Sequence, residues 1–495
     1  MRLRPYIAGF LLIPLMLNGA LAGAQSPSQK NASKSPVNIS LYDRTRVDSW
    51  QWFGAPPQSE TYGYAESLLR VGIAQSLKRI DWQLELAQPS VVGLPANAVS
   101  SNAAQGQMGL GGTYYSSNGN NRYAAAAFLK QGFLRYRAGE DRSIRIGRFE
   151  FFDGQETKPK DAALAWLQSN RISQRLVGNF GFSTAQRSFD GLDTHWGKGT
   201  WDVTGMAGRV DQGVFNMNGN PELNVDVQYL ALTHYQFRQH LLWRTFALGY
   251  HDGRTGVTKT DNRALTARKA DHQNIRIATC GGDLLATMPA GPGALDLLAW
   301  GVLQNGHWGA LDQHSRAGAL EAGYQVKKAV TSPWVRGGYF YGSGDTNPKD
   351  NRNETFFQVL PTPWIYAHFP FYNLMNNRDG FVQVIDHPTK QLEIRSDLHW
   401  LSLASNTDLW YLSGGAFDNK VFGYVGRPSN GHTTLATVFD VTSSWQATKS
   451  VTMNFYYGHA NGESTVATIY PTDHNAQFGY AEIVYRWGEP QRSGR

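Results

Sequence analysis

The side chains best suited to do chemistry are arginines. Arg135, Arg137, Arg145 and Arg148 flank a short turn, Ala138-Gly139-Glu140-Asp141, at spacings that gather them into a basic stripe on adjoining extended segments. A guanidinium stays charged in a confined space and grips a carboxylate through two parallel hydrogen bonds, so such a stripe is chemistry for holding anions. Arg276, Arg336, Arg395 and Arg486 fall on the polar side of later alternating segments. Carboxylates accompany them on that side: Asp81, Glu85, Asp193, Asp202, Asp226, Asp296, Glu321, Glu393, Asp397, Asp440 and Glu482. Seven arginines (Arg148 breaks the alternation, which suggests a bulge near Gly147) against eleven carboxylates make the polar side mixed rather than cationic.

Other chemistries fit less well. Glu393 and Asp397 lie four apart on one strand face, roughly 13 Å at strand rise, too far for either geometry of two-carboxylate glycoside hydrolysis. His195 and His399 lie beside carboxylates, the ordinary surroundings of a hydrogen-bonded wall residue. No nucleophile elbow, H-E-x-x-H, phosphate loop or dinucleotide fingerprint occurs, so no enzymatic activity and no cofactor is expected. Asp345, Asn347 and Asp350 offer oxygen ligands for Ca2+ but lack the glycine and distal glutamate of a calcium-binding loop; a turn at Asp345-Thr346-Asn347-Pro348 explains them better, and no other metal site is expected.

What positions these side chains is alternation. In Ile80-Asp81-Trp82-Gln83-Leu84-Glu85-Leu86 every second residue is apolar, and the rhythm returns in Leu392 to Trp400, Asn224 to Tyr229 and Val451 to Phe455. Only a strand puts each set on one face. The 495 residues include 52 Gly, 13% aromatic residues and one cysteine, with a net charge of +7. This composition excludes disorder and a disulfide scaffold, and the charge is too mild to argue for nucleic acid. A mean hydropathy of −0.41 excludes a bundle of membrane helices.

At the N-terminus Arg2 and Arg4 precede an apolar stretch, Ile7 to Leu17, and small residues Ala22 and Ala24, the pattern of a secretory signal peptide. The expected organisation is a signal peptide over 1–24, a leader over 25–38, a β-barrel over 39–487 and a polar tail over 488–495. Eighteen strands are predicted, the later ones at Pro333–Ser343, Gln391–Ala404, Asp408–Phe417, His432–Gln446, Ser450–Ala460 and Gln477–Trp487. Short turns, including Ser405-Asn406-Thr407, alternate with long segments such as Val91–Tyr123, Asp153–Gln186, Gly253–His272 and Gly344–Lys390. That asymmetry is the mark of an all-β transmembrane antiparallel barrel with periplasmic turns and extracellular loops. Closure is required, because lipid satisfies no unpaired strand edge. Trp82, Tyr136, Trp196, Trp201, Tyr229, Trp300, Trp400, Trp410, Tyr457, Tyr485 and Trp487 are placed in two aromatic girdles. The basic loop Gly253–His272 is read as touching anionic lipopolysaccharide, with an inward gate as the second reading. Pro361, Pro363, Trp364, Tyr366, Phe369, Phe371 and Tyr372 are read as loop packing.

Ser143-Ile144-Arg145-Ile146-Gly147-Arg148, Arg187-Ser188-Phe189-Asp190-Gly191, Tyr341-Gly342-Ser343-Gly344-Asp345-Thr346-Asn347-Pro348 with Phe356, and Phe369-Pro370-Phe371-Tyr372-Asn373 to Asp379 resemble the alginate-export family of outer-membrane proteins. The resemblance covers nearly the whole mature chain. It implies an eighteen-stranded, monomeric, porin-like channel in the bacterial outer membrane, passing a polysaccharide such as alginate, or small polar or anionic solutes, passively, with a periplasmic partner at the turns. Expected pore-lining residues are Arg135, Arg137, Arg145, Arg148, Arg276, Arg336, Arg395, Asp397 and His399. The alternative is a secreted or outer-membrane-associated β protein that binds or hydrolyses carbohydrate.

Overall fold

Successive side chains of a strand point to opposite sides, and here one side is oily while the other is charged. In the first strand Ile39 and Val47 are exposed on the outside, whereas Arg44, Arg46, Asp48 and Trp50 are buried inside. The computed structural model describes residues 36–236, 240–362, 367–371 and 373–488. The expected signal peptide, most of the leader and the tail beyond Gly488 lie outside the described residues, as do Pro363, Trp364, Tyr366 and Tyr372.

Eighteen strands form the wall. The first nine are β1 Asn38–Gln51, β2 Thr61–Ser76, β3 Ile80–Val92, β4 Phe128–Arg137, β5 Arg142–Phe149, β6 Phe189–Lys198, β7 Trp201–Asp211, β8 Glu222–Gln236 and β9 Leu241–Asp252. The others are β10 Ile275–Ala290, β11 Gly293–Trp308, β12 Leu311–Gln325, β13 Trp334–Gly342, β14 Asn377–Thr389, β15 Leu392–Leu403, β16 Thr434–Gln446, β17 Val451–Gly462 and β18 Asn475–Trp487. Each pairs antiparallel with its sequence neighbours, and β1 closes the ring on β18 from Leu41↔Trp487 to Gln51↔Gln477. No ladder edge is left for lipid to satisfy. Turns such as 77–79, 138–141, 199–200, 291–292 and 390–391 share one end with both ends of the wall; the connections 93–127, 150–188, 253–274, 343–376 and 404–433 lie at the other.

Two strand assignments from sequence exchange places. The segment expected at Asp408–Phe417 contains only Leu409–Ser413, which pairs with Tyr424–Pro428 in a hairpin separate from the wall. The stave is instead β14, inside the region expected as the long loop Gly344–Lys390, and Ser405-Asn406-Thr407 opens the 404–433 connection rather than making a periplasmic turn. Phe381 and Ile385 face inward while Val382 and Val384 face outward, so apolar residues on both faces hide the alternation of β14.

The expected bulge near Gly147 is also displaced. The ladder runs unbroken through Phe133↔Gly147↔Gly191, and the irregularity lies one strand away, between Glu85 and Leu86, where Lys130 is the extra residue. Gly147 has φ +127°, and a Cβ there would collide with the Gly132 carbonyl, so the position requires glycine. Of the expected girdle, Tyr136, Trp196, Trp201, Tyr485 and Trp487 are exposed on the outer face near the turns, whereas Tyr229, Trp300 and Trp410 are buried inside.

The outer face sets a stability test. Leu320, midway along β12, is 69% exposed on the same face as His314. Leu320→Arg is expected to destabilise the barrel in urea titrations from lipid vesicles by about 2–4 kcal/mol, and His314→Arg, near the outer end of the strand, by about 0–1 kcal/mol.

Candidate functional site in the filled lumen

Most arginines assigned to the polar side face inward, though not as one ring. Near the periplasmic turns Arg137 pairs with Asp81 at 3.1 Å and Arg145 with Asp193 through Nε at 3.1 Å, with Arg135 on the same face. Across the barrel Arg336 is fully buried between Asp296 at 3.0 Å and Glu321 at 3.1 Å. On β15, Arg395 donates to Asp397 at 2.6 Å, and His399 Nδ1 lies 3.0 Å from both oxygens of Asp379.

Arg276 and Arg148 do not line the pore. Arg276 is exposed on the outer face of β10, because Ile275 and Ile277 turn inward, 1% and 3% exposed, against the loops that fill the upper lumen. Arg148 shares the outward face of Ile146, pairs with Asp190 at 2.7 Å and donates to the Gly219 carbonyl of the β7–β8 connection. Asp226, expected inside, also faces out and pairs with Arg209 at 2.8 Å. In all three cases apolar residues near the outer ends of strands face an apolar loop core, reversing the rule that the polar side is the inside.

The element that shapes the lumen is the 150–188 connection. Asp161 caps its short helix, Ala162–Leu167, by accepting from Leu164 N–H at 3.0 Å. The chain then reaches the far wall, where Arg171 donates to Glu321 at 2.9 Å and stacks over Phe381, and Arg175 stacks over Trp300. Returning, it lays the Gly181 and Ser183 carbonyls against Arg44 at 2.5 and 2.7 Å, and Thr184 donates to Glu66 at 2.6 Å. Arg46 sits with Asp48 at 3.3 Å, contacts Glu66, and lies 3.6 Å over the Phe182 ring. Among the described residues Arg187 forms an ion pair with no carboxylate; it donates to the carbonyls of Gly178, Leu360, Gly414 and Ala416, and burial pushes its guanidinium down to about 10.

Two cavities lie on either side of this loop. The lower, about 780 Å³, opens among strand ends near the turns. It is lined by Arg70, Arg135, Arg145, Lys158 and Arg486 against only Asp81 and Glu85 as carboxylates. The upper, about 600 Å³, is lined by Trp52, Phe180, Phe182, Phe215, Phe417 and Phe422 among hydroxyl and amide groups such as Thr113, Ser116 and Asn216. Phe180 and Phe182 of the 150–188 connection line the upper cavity, while Phe152, Gln155, Lys158 and Gln168 of the same connection line the lower.

Sequence reasoning missed Arg44, Arg46, Arg70, Lys130, Glu66 and Glu150. Arg44-Thr45-Arg46-Val47-Asp48 carries the alternation plainly on β1, and its carboxylate partners Asp48, Glu66 and Glu482 lie on the wall, but the carbonyls and the Phe182 ring come from a loop whose position no local pattern encodes. The basic loop Gly253–His272 spends its charges internally: Arg254 donates to the Asp418, Val421 and Phe422 carbonyls, Lys259 pairs with Asp271 at 3.3 Å, and Arg263 with Asp261 at 2.8 Å. Asp345, Asn347 and Asp350 each accept the backbone N–H two residues on, at 3.0, 3.2 and 3.0 Å, which is the turn chemistry expected of them.

A closed barrel with an oily exterior, a charged interior and inward-folded loops defines an outer-membrane channel. A sequence profile of the family described as alginate export matches residues 115–470, and the chain belongs to that family. The fold is shared with outer-membrane proteins of Acinetobacter baumannii and Pseudomonas aeruginosa. OccAB4 is 9% identical with a TM-score of 0.56 over 92% of this chain and 100% of that one; OccAB2 is 9% identical with a TM-score of 0.57 over 92% and 98%. OpdK, crystallised with vanillate, is 8% identical with a TM-score of 0.54 over 91% and 98%. No curated protein sequence matches the chain at a significant level. The protein resides in the bacterial outer membrane and is a passive channel for polar solutes or polysaccharide.

The anchor of the 150–188 connection titrates in acid. Glu150 takes hydrogen bonds from Arg70 at 3.0 Å and Asn179 at 2.8 Å and lies 3.4 Å from Lys130. Burial raises its carboxyl, but the charges of Arg70 and Lys130 and these hydrogen bonds outweigh it and hold the group down at about 2. The folded chain favours the ionised form, so this contribution is complete above the ordinary value near 4.5 and is lost as pH falls through about 2. Single-channel conductance is expected to become noisy and to rise between about pH 4 and 2; Glu150→Gln is expected to show that noise already at pH 7 and to lose the acid step.

Proposed function

We propose that the cargo is an anionic polysaccharide, alginate or a like polyuronate, which enters from the periplasmic side. The observation that carries this reading is the lower cavity, lined by five basic side chains and two carboxylates; Arg70 and Arg145 are engaged by Glu85, Glu150 and Asp193, and Lys158 and Arg486 border the opening without an ion pair among the described residues. A carboxylate on every sugar suits such a site, since guanidinium and ammonium groups attract anions without needing one fixed pose. Beyond the loop, the upper cavity offers rings and hydroxyl partners of the kind on which sugar faces stack and hydrogen-bond. Family membership and the shared barrel support transport over the hydrolytic alternative. The whole path lies within one chain, which suits a monomer surrounded by outer-membrane lipid.

Planar-bilayer recording tests the cargo. Oligouronates added on the turn side are expected to block current, and neutral oligosaccharides of the same length to block at least tenfold more weakly; equal block by both would sink the polyuronate reading. Arg486, on β18, and Lys158, in the 150–188 connection, both line the lower cavity. A unit charge about 7 Å from a permeating ion in a water-like dielectric contributes about 0.6 kcal/mol, so Arg486→Gln together with Lys158→Gln is expected to lower the anion-to-cation permeability ratio several-fold.

A further inference from the structure

Strands β14, β15 and β16 hold a second cluster, away from the lower cavity. Asp397 of β15 stands directly opposite Asp440 of β16 in the ladder, a like-charge pairing that destabilises a sheet unless something bridges it. One nitrogen of His399 and one oxygen each of Asp397 and Asp440 lie within 4.8 Å of one another, and all three residues are at most 1% exposed. In the neutral imidazole whose Nδ1 donates to Asp379, Nε2 carries a lone pair. That Nε2 and Asp440 Oδ1 have no hydrogen-bond partner among the described residues. Three carboxylates, Asp379, Asp397 and Asp440, face one guanidinium, Arg395; His368, whose Nε2 lies 3.1 Å from Arg395, acts as an acceptor, and Arg171 is bound to Glu321. Burying carboxylates side by side is costly.

We propose that His399, Asp397 and Asp440 form a binding site for a divalent transition ion of the zinc class. A mixed imidazole and carboxylate set favours such an ion over Ca2+ or Mg2+, which take all-oxygen shells. Asp379 is the positioning residue, holding the ring through Nδ1 so that Nε2 is the nitrogen left to ligate. Because His368 N–H donates to Asp440 Oδ2 at 3.0 Å, the ion ties the wall to the inward-folded segment 367–371. The site departs from the sequence reading, in which Asp397 and His399 are pore-lining and no transition metal is expected.

The test is Co2+ titration of the full-length, chelator-stripped barrel in detergent, with heat-modifiable gel migration to show that each variant is folded. The wild type is expected to take up one Co2+ with visible d–d absorption, displaced by equimolar Zn2+ and not by millimolar Ca2+ or Mg2+. His399→Gln and Asp440→Asn are expected to weaken binding a hundredfold or more, and Asp379→Asn about tenfold. The proposal is overturned if the folded wild type shows no d–d band, if Ca2+ displaces the ion, or if folded His399→Gln binds Co2+ as the wild type does.

Discussion

A guanidinium enclosed in protein must be met by carboxylates, carbonyls or an aromatic face, and the lumen of this barrel is organised around that requirement. Lipid satisfies the outer face with nothing more than apolar side chains. The inner face has no such solvent once loops fold into it, so each charge there needs a named partner. Glu321 illustrates the consequence. It projects from β12 and receives Arg336 from the neighbouring strand and Arg171 from the 150–188 connection, so the position of the loop is fixed by a charge on the wall. Removing one member of such a set leaves a buried charge unpaired, which is why the loop and wall behave as one unit.

The same requirement explains why the two ends of the barrel follow different rules. Toward the turns, Leu295 and Leu297 face out while Asp296 faces in, as a membrane wall should. Toward the loops Val225, Val227, Ile275 and Ile277 face in, and the outer face carries a chain of cross-strand partners from Arg148 through Asp190, Arg209, Asp226, His251, Arg276 and His307 to Asp312. The charges in this chain largely pair, with Arg209 on Asp226 and His307 Nδ1 3.3 Å from Asp312. The inversion marks where loops replace water inside and where polar groups become tolerable outside.

The architecture was legible because its signals are local. Alternation on β3, β8, β15 and β17, turn chemistry at 138–141, and the contrast of short and long connections suffice for a closed ring of the right size. The count of eighteen came with two compensating assignments, since Asp408–Phe417 alternates without being a stave and β14 is a stave without alternating cleanly. Side-chain orientation was legible for Arg137, Arg145, Arg336 and Arg395, where apolar neighbours face lipid. It was misread for Arg276, Arg148 and Asp226, where the loop core supplies an apolar interior that no single strand reveals. The pairing of Arg44 and Arg46 with Phe182 and Ser183 depends on contacts more than a hundred residues apart in the chain, and nothing local announces it.

A final consequence concerns what a solute experiences. Summing formal charge over the inward face gives an acidic lumen, which argues against an anionic cargo. That sum weighs every group equally, yet a carboxylate such as Asp296 or Glu321, buried and bonded to Arg336, is neutralised at contact distance and projects little field into water several ångströms away. The groups that matter are those bordering the open cavities. At the lower cavity Arg70 and Arg145 are likewise neutralised, by Glu85, Glu150 and Asp193, which leaves Lys158 and Arg486 to set the field, while Asp296 and Glu321 are spent on holding β11 to β13 and the 150–188 connection together. Selectivity in a filled barrel is therefore set by the residues that the loops leave uncovered, and the composition of the wall governs which loops can be held inside.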